Sequence, residues 1–176
     1  MGDRPAALSA STMCEAFQVT AEKWAGSPAL RFKDSDYEAS WADYAEAARK
    51  RAAGLAKLGV KRGDTVGFML VNRPAMHLTD AAAMHLGATC FSVYNTSSPE
   101  QVEYVVRDAG NKVIVTEQAF LETVLAARKA VESVEHVVVI DGEAPEGTIA
   151  IGELEGMGDP DFDFEAAWRA VEPEDV

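Results

Sequence analysis

Apolar and polar positions alternate along this chain with two periods, and the period changes at punctuated places. Ala29-Leu30-Arg31-Phe32 and Tyr37-Glu38-Ala39-Ser40 flank the turn-forming Lys33-Asp34-Ser35-Asp36, which predicts a hairpin. Ser40 followed three residues later by Asp43 forms a capping-box pattern, and Trp41, Tyr44, Ala48, Ala52, Leu55 and Leu58 then recur at helical spacing up to Gly59. Thr65–Val71 is apolar on both faces, as expected of a buried parallel strand. Asn72-Arg73-Pro74 closes it, and a helix follows through Met76, Ala81, Met84 and His85 to Gly87. A second buried strand is expected at Thr89–Val93. Ser98, Pro99 and Gln101 mark the clearest helix start, with Val102, Val105, Val106 and Ala109 as the inner face and Gly110 as the stop. Lys112–Thr116 reads as strand, Ala119–Val131 as helix and His136–Ile140 as strand.

These alternations predict an α/β fold, a parallel sheet with right-handed crossovers and helices on both faces. Three segments are expected: an N-terminal helical segment over 1–27, the α/β subdomain over 28–140 and an acidic connecting segment over 141–176. In the last, short helices around Ile151–Leu154 and Phe164–Val171 flank Gly158-Asp159-Pro160-Asp161. Its Gly, Pro and clustered like charge suggest a loosely held surface segment.

Composition adds limits. The 176 residues are 48% hydrophobic and 26% charged, ordinary for a globular protein with one core. The formal charge is −13, from 29 acidic and 16 basic residues, which argues against nucleic acid or anionic lipid as partner. From Asp141 onward stand 12 acidic residues and one basic residue, Arg169, so this end carries −11 and the rest −2. Cys14 and Cys90 are too few for a disulfide framework, which suits a reducing, cytoplasmic setting. The N-terminal residues lack the apolar stretch of a signal peptide, Ala6 stands where a myristoylation signal has Ser or Thr, and no uncharged apolar run reaches membrane-spanning length.

Candidate chemistry is sparse. Neither G-x-G-x-x-G nor G-x-x-x-x-G-K-[ST] occurs, so no segment announces a phosphate cradle. Asp159, Asp161 and Asp163 resemble the opening of a calcium loop, but Phe164 stands where that loop needs glycine and Ala170 where it needs glutamate. His77 and His85 are eight apart, beyond the usual spacing of a helical metal pair. His77 could form a polar corner with Asp80 and Met84, although a surface or half-buried histidine is the simpler expectation; His136 has no evident partner. Cys90 lies in an apolar strand, where its thiol is expected to stay protonated and inert. There is no G-x-S-x-G elbow. The residues read as an enzyme's scaffold without its catalytic loops.

The run from Arg62 to Gly110, "RGDTVGFMLVNRPAMHLTDAAAMHLGATCFSVYNTSSPEQVEYVVRDAG", resembles the N-terminal region of the AMP-forming acyl-CoA synthetases, the acyl-adenylate-forming superfamily. Within it the likeness is to long-chain fatty-acid–CoA ligases of actinobacterial type. It is supported by "SWADYAEAARKRAAGLAKLGVKRGD" before and "EHVVVIDG" after, and extends over about Pro28–Asp141. Ala75 and Cys90 depart from the pattern, at positions expected to be acidic and, often, proline. Pro173-Glu174-Asp175-Val176 resembles the approach to the family's Thr/Ser/Gly-rich phosphate loop.

The resemblance implies the N-terminal subdomain of the acyl-adenylate-forming fold, truncated, from an enzyme that uses ATP, magnesium and CoA to convert a fatty acid to acyl-AMP and then acyl-CoA. It places the phosphate loop, nucleotide contacts, magnesium-binding glutamate and catalytic lysine beyond these residues. No catalytic, cofactor-binding or metal residue is therefore assigned, and the chain alone is expected to be inactive. A second chain carrying the remaining ligase segments, or self-association, are the partners to expect. Two alternatives stand beside this: a non-catalytic interaction subunit, and an unrelated α/β binding module. A receiver-type module needs an acidic cluster where this chain has Val71-Asn72-Arg73.

Overall fold

The computed structural model describes residues 5–175; Met1–Arg4 of the expected N-terminal segment and Val176 of the ligase-like ending lie outside the described residues. After a 3-10 turn at Ala6–Ser9, helix α1 spans Met13–Lys23, and strands β1 (Pro28–Arg31) and β2 (Glu38–Ser40) form the antiparallel hairpin. Then follow α2 (Trp41–Lys57), β3 (Thr65–Met69), α3 (Pro74–Met84), β4 (Thr89–Ser92), α4 (Pro99–Ala109), β5 (Val113–Thr116), α5 (Leu121–Arg128), β6 (His136–Val139), β7 (Ile149–Ala150), α6 (Ile151–Gly156) and α7 (Phe164–Arg169).

The two capping boxes form as their spacing requires. Asp43 N–H donates to Ser40 Oγ at 3.1 Å while Ser40 N–H donates to Asp43 Oδ2 at 2.9 Å. At α4 the reciprocal pair is Gln101 N–H to Ser98 Oγ and Ser98 N–H to Gln101 Oε1, with Pro99 in the first turn. Each box satisfies backbone donors that a helix start leaves orphaned. Gly110 ends α4 at φ 62°, a left-handed conformation that glycine adopts without a Cβ penalty.

The main sheet has five parallel strands in the order β4-β3-β5-β6-β7. Alternate residues feed two cores. Val66, Phe68, Val113, Val115 and Val138 face α2, α3 and α6, whereas Met69, Ile114, Val137 and Val139 face α4 and α5. Burial on both faces explains the continuous apolar runs.

Several expectations need correction. β3 ends at Met69, and Val71 is exposed because the chain is already leaving the sheet. β4 is half-buried rather than buried, since it is an edge strand paired only with β3. The helix expected from Ala119 starts as a 3-10 turn at Gln118–Phe120 and becomes α5 only at Leu121. β7 was not expected at all.

The largest correction concerns the acidic segment, which is docked rather than loosely held. Leu154 is fully buried in the α2/α3 core, a contribution of about 1.5–3 kcal/mol for a side chain of this size. The buried Arg51 donates through Nε to Glu155 Oε1 at 2.7 Å, and through Nη1 to the Ala75 carbonyl and Thr79 Oγ1, each at 2.9 Å. Arg62 donates to Glu172 Oε2 at 2.7 Å and to Asp175 Oδ1 at 3.0 Å. Arginines of the body thus hold the acidic end at several points.

Candidate functional site

Ligands of open α/β sheets bind beyond the carboxyl ends of the strands, where consecutive crossovers diverge. Here β3 leads through α3 to β4 on one side, and α4 then carries the chain back across to β5 on the other. The switch point therefore lies between the ends of β3 and β5. Arg73, immediately before α3, extends Nη1 to Glu117 Oε2 at 3.0 Å and to Asp141 Oδ2 at 2.8 Å, joining the ends of β3, β5 and β6. Its pKa is raised, first by the hydrogen bond to Glu117 and then by Asp141. Glu117 is nearly buried at 5% exposure, and Asp141 Oδ1 also accepts from Gln118 N–H at 2.8 Å. The edge that would receive a ligand thus holds an internally satisfied ion cluster, whose charges are already committed to one another.

The residues that the sequence singled out do not converge. His77 is exposed, while His85, at the end of the same helix, is fully buried. The expectation of a surface or half-buried residue thus holds for His77. Its Nδ1 lies 2.6 Å from the Ala81 carbonyl and its Nε2 2.9 Å from Gln18 Nε2, which fixes the neutral tautomer with the proton on Nδ1. Burial lowers its pKa. Phe164 of α7 stacks on its ring at 5.2 Å and Phe17 meets it edge-on at 5.0 Å. His136 is half-buried in β6.

Cys14 is buried, donates its thiol to the Met84 carbonyl at 3.3 Å and has its pKa pushed up to about 11 by burial. Burial also raises that of Cys90, with nearby Asp80 adding to it. Asp159 Oδ1 accepts from Asp161 N–H at 2.9 Å in a local turn, and Asp163 Oδ1 caps α7 through Ala166 N–H at 2.9 Å. Two of the three spaced aspartates therefore have backbone partners. Among the described residues, no group of three His, Cys, Asp or Glu side chains could hold a metal ion, and no helix is long and apolar enough to cross a membrane.

Sequence reasoning missed the Arg73 cluster, the Arg51–Glu155 pair and the His85–Gln18 pair. Their partners are 44 to 104 residues apart, so no local spacing could reveal them.

A five-stranded parallel sheet with this strand order, preceded by a small antiparallel hairpin, defines the class as an open α/β protein built around a carboxyl-edge switch point. The chain belongs to the AMP-binding enzyme family, whose model matches residues 17–175. It is 47% identical over 135 residues to "Uncharacterized protein Rv1549" of Mycobacterium tuberculosis, covering 77% of this chain and 75% of that protein. It is 33% identical over 137 residues to the long-chain-fatty-acid–CoA ligase ACSBG1 of Bos taurus, covering 76% of this chain but only 19% of that enzyme. In fold it matches the anthranilate CoA ligase AuaEII, solved with anthranoyl-AMP, at a TM-score of 0.77 and 22% identity over 84% of this chain and 28% of that one. The chain thus spans 19% to 28% of these ligases, and matches an N-terminal portion of the AMP-binding fold.

Proposed function

We propose that this chain is the N-terminal portion of a fatty-acid-activating, AMP-forming CoA ligase, supplying scaffold rather than reacting groups and catalysing no adenylation by itself. The observation that carries the reading is the 33% identity to a long-chain-fatty-acid–CoA ligase along most of this chain but a fifth of that enzyme. In the reaction, a fatty-acid carboxylate oxygen attacks the α-phosphorus of ATP and pyrophosphate leaves; the CoA sulfur then displaces AMP from the acyl carbon. Such phosphoryl chemistry depends on donors and cations placed where charge develops. The described residues do not fit that task. The carboxylates at the sheet edge, Glu117 and Asp141, are held by Arg73 rather than left open to magnesium, and the first turn of α4 is capped by its own Ser98.

The partner that follows from this reading is a second chain carrying the remaining ligase segments. The test is exchange of radiolabelled pyrophosphate into ATP with palmitate present. The chain alone is expected to stay at the blank rate, and co-production with the remaining segments of a related ligase to raise it. Fatty-acid-dependent exchange by the chain alone overturns the reading.

A further inference from the structure

On the opposite side of α3 from the core, three aromatic rings from two helices meet around a cavity of about 270 Å³. Trp41 and Tyr44 of α2 lie nearly parallel, with centroids 5.8 Å apart and planes at 17°. Phe17 of α1 stands across both, 5.8 Å from Trp41 at 70° and 4.9 Å from Tyr44 at 87°. The cavity thus has aromatic walls in two nearly perpendicular planes. Met13 and Met84 contribute polarizable thioethers, and Asp80 of α3 contributes the one carboxylate that lines it.

Asp80 is exposed and makes no ion pair with any cation among the described residues. Tyr44, anchored by donating its hydroxyl to the His77 carbonyl at 3.1 Å, has its pKa pushed up to about 12 by burial and by the neighbouring Asp80 charge. An anionic ligand is therefore disfavoured here. Aromatic faces beside a single carboxylate attract a compact, weakly hydrated cation.

We propose that the pocket formed by Phe17, Trp41, Tyr44 and Asp80 binds a quaternary ammonium group. The cavity is large enough for a trimethylammonium headgroup and too small for most drug-sized ligands. The site lies apart from the carboxyl edge of the sheet and is independent of the ligase reading. Two sources share this chemistry, a free quaternary ammonium solute and a phosphocholine lipid headgroup.

The test titrates the full chain with tetramethylammonium and with choline while following the Met methyl and Trp indole resonances. The same titration is run with dimethylbutanol, the neutral carbon isostere of choline. Saturable millimolar binding of both cations is expected, at least about tenfold tighter than the isostere, with Asp80→Asn weakening it by about five- to tenfold. Asp80 is exposed and makes no ion pair among the described residues, and its one side-chain partner is the Cys90 thiol; thermal unfolding checks that Asp80→Asn leaves the fold intact.

Equal binding of the isostere, an unchanged affinity in Asp80→Asn, or no saturation by either cation overturns the proposal and makes the rings simple packing between α1 and α2. Co-sedimentation with phosphatidylcholine vesicles, lost when choline competes, assigns the lipid headgroup as the source. Binding of choline without vesicle association assigns the free solute.

Discussion

His85 shows how a single side chain couples distant segments. It sits at the end of α3, yet receives Gln18 from α1 and Phe164 from α7, so its neutral ring fills the junction of three helices. Protonation there is penalised by burial, which lowers the pKa below the ordinary value of 6.5. The unfolded chain, with its histidine near 6.5, therefore binds the proton first as pH falls. His85's contribution to stability is complete above pH 6.5, declines as pH drops below it, and levels off once the folded-state pKa is passed. The expected slope in that window is at most about 1.4 kcal/mol per pH unit. Urea unfolding of the wild type and His85→Asn at successive pH values checks this. The wild type should lose more stability than the variant between pH about 7 and about 5.5, and equal losses would assign the dependence to other groups. None of this is legible around residue 85. The local pattern shows a histidine at the end of an apolar helix, and its hydrogen-bond partner lies 67 residues earlier.

Between elements, small residues decide which helices can approach. Gly54 lies in the last turn of α2, where alanine is normally better by up to about 1 kcal/mol. A Cβ at this position, however, would lie 2.2 Å from the Leu154 carbonyl oxygen and 2.9 Å from its Cγ. Those are backbone and branch atoms of a fully buried residue, so α6 must move away. Gly54→Ala is expected to destabilise by about 2 kcal/mol, because overpacking and partial loss of Leu154 burial outweigh propensity. Gly152 provides the contrast: it lies in α6, and nothing stands within 4 Å of an added Cβ. Gly152→Ala should therefore stabilise by about 0.5–1 kcal/mol. Urea midpoints for the two variants should shift in opposite directions, and a shared direction would show that close approach does not govern the α2–α6 contact. The difference between these glycines is invisible in sequence, since both occur in helical patterns. By contrast, Ser40–Asp43, Ser98–Gln101 and Gly110 were legible because a cap is satisfied within three residues. The apolar run of β4 shows the limit in sheets, since such a run does not reveal whether a strand has one neighbour or two.

Across the whole molecule, the uneven charge acquires a structural meaning. Residues from Asp141 onward carry −11 of the −13, and composition alone suggested a solvated tail. Three arginines of the body, Arg51, Arg62 and Arg73, instead receive Glu155, Glu172 with Asp175, and Asp141. Exposed pairs such as that of Arg62 add little by themselves. The anchoring comes from Leu154 and the partly buried Ile149, Ile151, Met157, Phe162 and Phe164, which pack against the α2/α3 core between the charges. Those apolar residues are diluted among acidic ones, which is why their periodicity was weak and the two-residue β7 undetectable. A glutamate-specific protease distinguishes a docked segment from a loose one. Glu143 and Glu146 lie exposed in the connection before β7 and should be cut first. Glu155 is paired with Arg51 beside the buried Leu154, so cleavage after it requires α6 to leave the core. Its rate should track opening of the α2–α6 contact, rising in Gly54→Ala and falling in Gly152→Ala. Equal early cleavage after Glu146 and Glu155 would return the segment to the loose tail its composition suggested.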